Sequence, residues 1–105
     1  MKTLYLIRHS KSSWEISNIS DLYRPLNQRG YDDALALGAF MQVEKYIPEV
    51  IISSPSVRTY STALIVLNQL SMSQLQLEID NTLYETDVEK YADAVLDRLS
   101  SVNTI

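Results

Sequence analysis

One histidine stands in the 105-residue chain, and it follows an arginine: Arg8-His9, in the stretch "YLIRHSKSSW". An imidazole can attack phosphorus or carry a proton near neutral pH. A guanidinium beside it can receive the oxygens of a phosphoryl group. A second group with the same chemical bias lies further on. Ser53, Ser54 and Pro55 are followed by Arg58, one turn into an apolar-periodic segment. Two arginines and the free N–H groups of a helix start form an anion site if the fold brings them together. Each residue also has a purely structural use. A lone histidine after a strand serves as a surface or capping residue, Arg58 as an exposed helix residue, and Ser54 as a helix cap.

The elements that must position these residues are legible as hydrophobic patterns. Thr3–Ile7 is a continuous apolar run, which predicts a strand buried on both faces. His9–Leu26 is polar and irregular, with Ser10, Ser12 and Ser13 near Trp14, and predicts a long loop. Asn27 is placed to cap a helix starting near Gln28, with Tyr31, Leu35, Gly38 and Met41 or Gln42 on its inner face and Pro48 ending the segment. Asp32 and Asp33 read as carboxylates of its first turn.

Glu49–Ser54 predicts a second buried strand, and Ser54-Pro55 the start of a second helix. Val57, Tyr60, Leu64, Leu67 and Leu70 form that helix's apolar stripe. Leu75–Asp80 alternates with period two, as in an edge strand. Asp87 caps a third helix with Val88, Tyr91, Ala92, Val95, Leu96 and Leu99 on one face. The order β-α-β-α-β-α predicts a single α/β domain over residues 1–105 with a largely parallel sheet. In such sheets ligands bind beyond the carboxyl ends of the strands, where Arg8-His9 and Ser53-Ser54 both fall. The final "SSVNTI" reads as the beginning of another strand, so we expect a truncated sheet or one completed by a partner, including a second copy.

Composition narrows the partners. A hydrophobic content of 46% fits a globular domain, and the net charge of −4 argues against a general nucleic-acid surface. Any anion site must be a local cluster of arginines. With no cysteine, disulfides and thiolate-metal sites are excluded, which fits a cytoplasmic setting. No apolar run is long enough to span a bilayer, and the first residues lack the features of a signal peptide. No histidine or cysteine falls in a metal-ligand pattern with the carboxylates.

Taken together, "LIRHSKSSW", "RPLNQRGYDDA", "IISSPSVRTYSTA" and "LYE" resemble the histidine phosphatase superfamily, in particular its SixA-like phosphohistidine phosphatases. The resemblance spans Leu4 to about Glu85. It implies a three-layer αβα, phosphoglycerate-mutase-like fold, no metal and no cofactor. It implies that His9 is the nucleophile, forming a phosphohistidine that water hydrolyses, with Arg8 and Arg58 on the phosphate oxygens. Arg24 matches an arginine near the pocket; its alternative is a loop arginine paired with Asp21. Glu85 sits where other branches keep a general acid; its alternative is a helix-start carboxylate. Ser10 takes the place of a glycine, and Lys11 and Trp14 fall in the loop over the pocket, Lys11 to attract anions and Trp14 equally suited to anchor packing. The substrate implied is a phosphorylated protein histidine.

The chain departs from the family in one respect. Members carry a second histidine after a later strand, and His9 is the only histidine here. A domain of this class is expected nearer ~150 residues, so the pocket is expected to be incomplete. The readings that compete with a phosphohistidine phosphatase are therefore a phosphate-binding module without turnover, a small-molecule phosphatase or mutase of the same superfamily, and a domain that dimerises through an open sheet edge.

Overall fold

The computed structural model describes residues 1–105. Three α-helices and two short strands carry the architecture: α1 (Gln28–Glu44), β1 (Ile51–Ser53), α2 (Val57–Gln69), β2 (Leu77–Ile79) and α3 (Val88–Leu99). β1 and β2 pair in parallel, with Ile51 opposite Leu77 and Ser53 opposite Ile79. A second parallel ladder joins the chain's two ends. Thr3 donates to Asn103, Tyr5 donates to Ile105, and Ile105 donates back to Thr3, over 2.8, 2.8 and 3.0 Å. Thr104 accepts from the Glu49 N–H. The spatial order is therefore Thr3–Tyr5, Asn103–Ile105, Glu49–Ser53, Leu77–Ile79. α1 packs against α2, while α3 packs against Asn81–Leu83 and reaches β2 through Arg98 and Glu78, in keeping with the αβα fold that the resemblance implies.

Local chemistry starts two helices where the sequence places them. The Asn27 side chain accepts from the Gly30 N–H at 2.7 Å, and Asp87 accepts from the Lys90 N–H at 3.2 Å. Each such cap contributes about 1 kcal/mol. α1 then crosses α2 closely. A Cβ on Gly38 would lie 2.6 Å from the Gln69 Cβ, closer than two side chains can approach. Beside this crossing Met41, Val66 and Leu70 form a small core, with Leu37 and Met72 packed on it.

The structure corrects several expectations. The α1 inner face is Gly30, Ala34, Gly38 and Met41, and Tyr31 faces solvent. The close crossing selects the smallest residues, which turns the helix away from the stripe of large ones. Asp32 and Asp33 lie beyond the first turn, next to Gln28 and Arg29. α1 ends at Glu44, before Pro48, because Lys45 adopts a left-handed conformation (φ 61°) and Tyr46 bonds back to Met41.

α2 starts at Val57 rather than at Pro55. Ser56 is the extended residue before it, and its hydroxyl bonds Ser54 and Thr59 instead of a helix N–H. β2 is shorter than Leu75–Asp80, since Gln74–Gln76 closes a capped 3₁₀ turn first. The long loop is partly ordered by a bridge between Ser12 and Leu26, a bond from Ser13 N–H to Pro25, and a 3₁₀ turn at Asp21–Tyr23.

Two buried surfaces predicted from apolar runs are open. Leu6 is 79% exposed and Leu4 and Ile7 are exposed beside it, and backbone pairing over the expected strand Thr3–Ile7 stops at Tyr5. On α3, Val88 and Leu96 face solvent. That helix turns Ala94 and Val95 inward and ties Arg98 to Glu78 of β2, which rotates the expected stripe off the core.

Candidate active site

His9 lies at the end of the amino-terminal segment, half-buried, beside the first turns of α2. Its Nδ1 is 2.8 Å from the Ser10 carbonyl oxygen. A carbonyl only accepts, so Nδ1 carries the proton and the lone pair of the neutral ring is on Nε2. The main chain of Ser10 is fixed in turn. Its N–H donates to Thr62 Oγ1 at 3.1 Å, and that buried hydroxyl donates to the Arg58 carbonyl at 2.8 Å. The histidine loop is thus pinned to α2 through Thr62, a residue the sequence reading did not single out.

Arg8, exposed, and His9 line one end of a cleft of about 280 Å³ together with Ser53, Ser54, Thr59 and Thr62. The rest of its wall is apolar, including Leu6, Ile52, Val66, Ala94 and Ile105. The amino-terminal segment and β1 therefore converge on one cavity, although they are not hydrogen-bonded neighbours. Asn103–Ile105 stands between them, so convergence comes across one strand's width.

Arg24 and Arg58 meet elsewhere, on Asp21. Arg58 donates through one terminal nitrogen to the Asp21 carbonyl at 2.7 Å and through the other to Asp21 Oδ2 at 3.0 Å. Arg24 donates to Asp21 Oδ1 at 3.0 Å and to the Ser12 hydroxyl, and its guanidinium lies 3.7 Å over the Trp14 ring. The Tyr84 hydroxyl donates to Asp21 Oδ2 at 2.7 Å. The Tyr84 hydroxyl, then Arg24 and Arg58, hold the Asp21 carboxyl down to about 2. The same bond to Asp21 pushes the Tyr84 phenol up. Arg24 is buried, and the Nε atoms of both arginines are buried without a partner.

The remaining expected site residues lie outside the cleft lining, Trp14 being placed under Arg24. Lys11 and Trp14 are exposed, and the Lys11 carbonyl takes the Asn27 N–H and abuts Gly30, where a Cβ would come within 2.0 Å of it. Gly30 thereby lets the pocket loop lie on the first turn of α1. Glu85 is exposed, outside the cleft lining, with a left-handed backbone (φ 47°) that disfavours a non-glycine residue. It follows Tyr84 directly, whose hydroxyl is bonded to Asp21. It is not a helix-start carboxylate, since Asp87 takes that place. No cluster of three or more metal-binding side chains is present.

Asp21 and Tyr84 are the residues that the sequence reading left without a functional role. The Asp21–Arg24 spacing signals their pairing across one turn. Nothing local signals Tyr84, which lies 63 positions away.

The fold has clear relatives. The solved structure of a candidate phosphohistidine phosphatase SixA from Agrobacterium tumefaciens superposes with a TM-score of 0.87 at 22% identity, over 96% of this chain and 64% of that one. A protein histidine phosphatase SixA complexed with tungstate gives a TM-score of 0.80 at 22% identity, over 99% of this chain and 65% of that one. In sequence, the 2,3-bisphosphoglycerate-dependent phosphoglycerate mutase of Methylobacterium radiotolerans is 28% identical over 82% of this chain and 42% of its own length. The chain thus spans less than half of that mutase and just under two-thirds of the SixA structures. The family model for the histidine phosphatase superfamily (branch 1) matches residues 4–100. With that match over nearly its whole length, the chain belongs to the histidine phosphatase superfamily.

Proposed function

We propose that the chain carries the nucleophilic half of a phosphohistidine phosphatase, acting on a phosphorylated protein histidine through a covalent intermediate on His9. The observation that carries this reading is the His9 ring itself. Its Nδ1 donates to the Ser10 carbonyl, leaving the lone pair on Nε2, and His9 is one of the residues that line the cleft.

In the first step the Nε2 lone pair forms a bond to phosphorus as the bond from phosphorus to the substrate imidazole breaks. The departing imidazole takes a proton, a role the family pattern assigns to Glu85, and the attacking water returns that proton to Glu85 in the second step. Nδ1 keeps its proton, so the phosphorylated ring is cationic and is stabilised by the Ser10 carbonyl. In the second step a water oxygen bonds to phosphorus and the bond to Nε2 breaks. Inorganic phosphate leaves and His9 returns to the neutral ring. Arg8, which lines the cleft with His9, supplies positive charge for the phosphoryl dianion, and the family pattern assigns Arg58 and Arg24, held on Asp21, to the same task. Ser10, Lys11 and Trp14 form the substrate-facing loop, with the exposed Lys11 and Trp14 suited to a protein surface.

The fold shared with the two SixA structures supports a protein substrate, and no helix is long and apolar enough to cross a membrane. The mutase relatives favour a second reading, a phosphatase or mutase acting on a small phosphorylated acid. The two separate on substrate. We expect hydrolysis of a phosphohistidine peptide at a kcat/KM at least tenfold above that for 3-phosphoglycerate, lost in His9→Ala. The reverse ranking would establish the small-molecule reading. Tungstate binding with no turnover of either substrate would leave a phosphate-binding module.

A further inference from the structure

We propose that Asp21 is a positioning residue for phosphate binding, clamping Arg58 and Arg24 in a single orientation with Tyr84 as its third donor. The proposal rests on the phosphatase reading above and assigns a role to a residue that reading does not use. Both terminal nitrogens of Arg58 are spent on Asp21, one on its carbonyl and one on its carboxylate. A guanidinium held at two points has its plane fixed. The other carboxylate oxygen holds Arg24, whose second terminal nitrogen is on Ser12 and whose face lies on Trp14. Tyr84 brings the chain just ahead of Glu85 to the same carboxylate. One anion thus organises the loop, the start of α2 and the segment after β2.

The cluster also has a surplus. Two guanidiniums against one carboxylate leave a net charge of about +1. The two buried Nε–H groups have no acceptor, and a buried donor without a partner is costly unless something supplies one. The net positive charge is what an incoming oxyanion would meet.

The proposal makes a prediction opposite in sign to simple electrostatics. Removing the Asp21 charge leaves two arginines uncompensated, which by charge alone tightens anion binding. If Asp21 positions them, binding weakens. The test measures tungstate and inorganic phosphate affinity by calorimetry on the full 105-residue chain, with the arginine Nε–H signals followed by NMR. In Asp21→Asn, folded by circular dichroism, we expect at least tenfold weaker tungstate binding and a shifted or averaged Arg58 Nε–H signal. Tyr84→Phe, which removes one donor and keeps the ring, should weaken binding about threefold and keeps the test open if Asp21→Asn does not fold. In an Arg58→Lys background Asp21→Asn should cost less than in the wild type, because one of the two arginines it acts through is already gone.

Unchanged or tighter binding in Asp21→Asn overturns the proposal, as does an unchanged Arg58 signal. If the wild-type chain binds neither anion, the phosphatase reading fails. The Arg58 Nε–H signal in Asp21→Asn then decides separately whether the clamp exists.

Discussion

The cluster around Asp21 and the cleft beside His9 are built in opposite ways. Around Asp21, hydrogen bonds fix the side chains of Arg24, Arg58 and Tyr84, and the carboxylate that joins them is held down to about 2. Along the cleft, the wall beyond the polar end is apolar, and Leu6 and Ile7 of the adjoining segment face solvent. The contrast separates two tasks. Orienting a charge needs several directional bonds made in advance, because a flexible arginine loses rotamer freedom when it binds. Holding a histidine needs only its backbone fixed and one ring nitrogen engaged, which Thr62 and the Ser10 carbonyl accomplish.

Changes on either side should break the comparison in different currencies. The largest effect is expected at His9. His9→Ala removes the only imidazole and should abolish turnover while leaving tungstate affinity within about threefold, since the arginines carry the charge; parallel kinetics and calorimetry check it. Arg58→Ala should do the reverse first, lowering tungstate affinity by about a hundredfold, in line with loss of a charge-assisted contact worth roughly 2–3 kcal/mol.

Next comes the scaffold beneath both regions. Leu67 is fully buried on α2, so Leu67→Ala should destabilise by about 2–5 kcal/mol in urea unfolding and affect cleft and cluster alike. Asp87→Ala removes the α3 cap and should cost about 1 kcal/mol, read by the same unfolding experiment, with little change at the Asp21 cluster.

The smallest effect sharpens the comparison through pH. The Asp21 carboxyl is lowered in the folded state from 3.8 to about 2, so its contribution to stability is complete above pH 3.8 and is lost as pH falls through about 2. The urea midpoint of the wild type should drop across that window by more than that of Asp21→Asn. Equal drops would show that the cluster's bonds add nothing to folding.

Which parts of this could be read from the sequence follows from the range of the interactions involved. The starts of α1 and α3 were legible because Asn27 and Asp87 bond to N–H groups three residues away. The pairing of Arg24 with Asp21 was legible as an alternative for the same reason. The position of Asn103–Ile105 between Thr3–Tyr5 and Glu49 was not, since its bonds reach across most of the chain. Nor was the rotation of α3, which answers to Glu78 and the cleft rather than to its own apolar spacing. Ser54-Pro55 misled for a different reason. It carries the residue types of a helix start, but its serines are satisfied by one another and by Thr59, and the helix begins two residues later. Arg8-His9 could be singled out as a candidate from residue type alone, whereas the tautomer of the His9 ring is set by the Ser10 carbonyl.

The central claim is that His9 Nε2 is a nucleophile toward phosphorus. Its most direct test is the intact mass of the 12.0 kDa chain after incubation with phosphoramidate, quenched at alkaline pH, where phosphohistidine survives. The account predicts an acid-labile adduct of one phosphoryl group that maps to His9 and is missing in His9→Ala. An adduct that persists in His9→Ala, or an unmodified mass at every quench time while tungstate still binds, would contradict it.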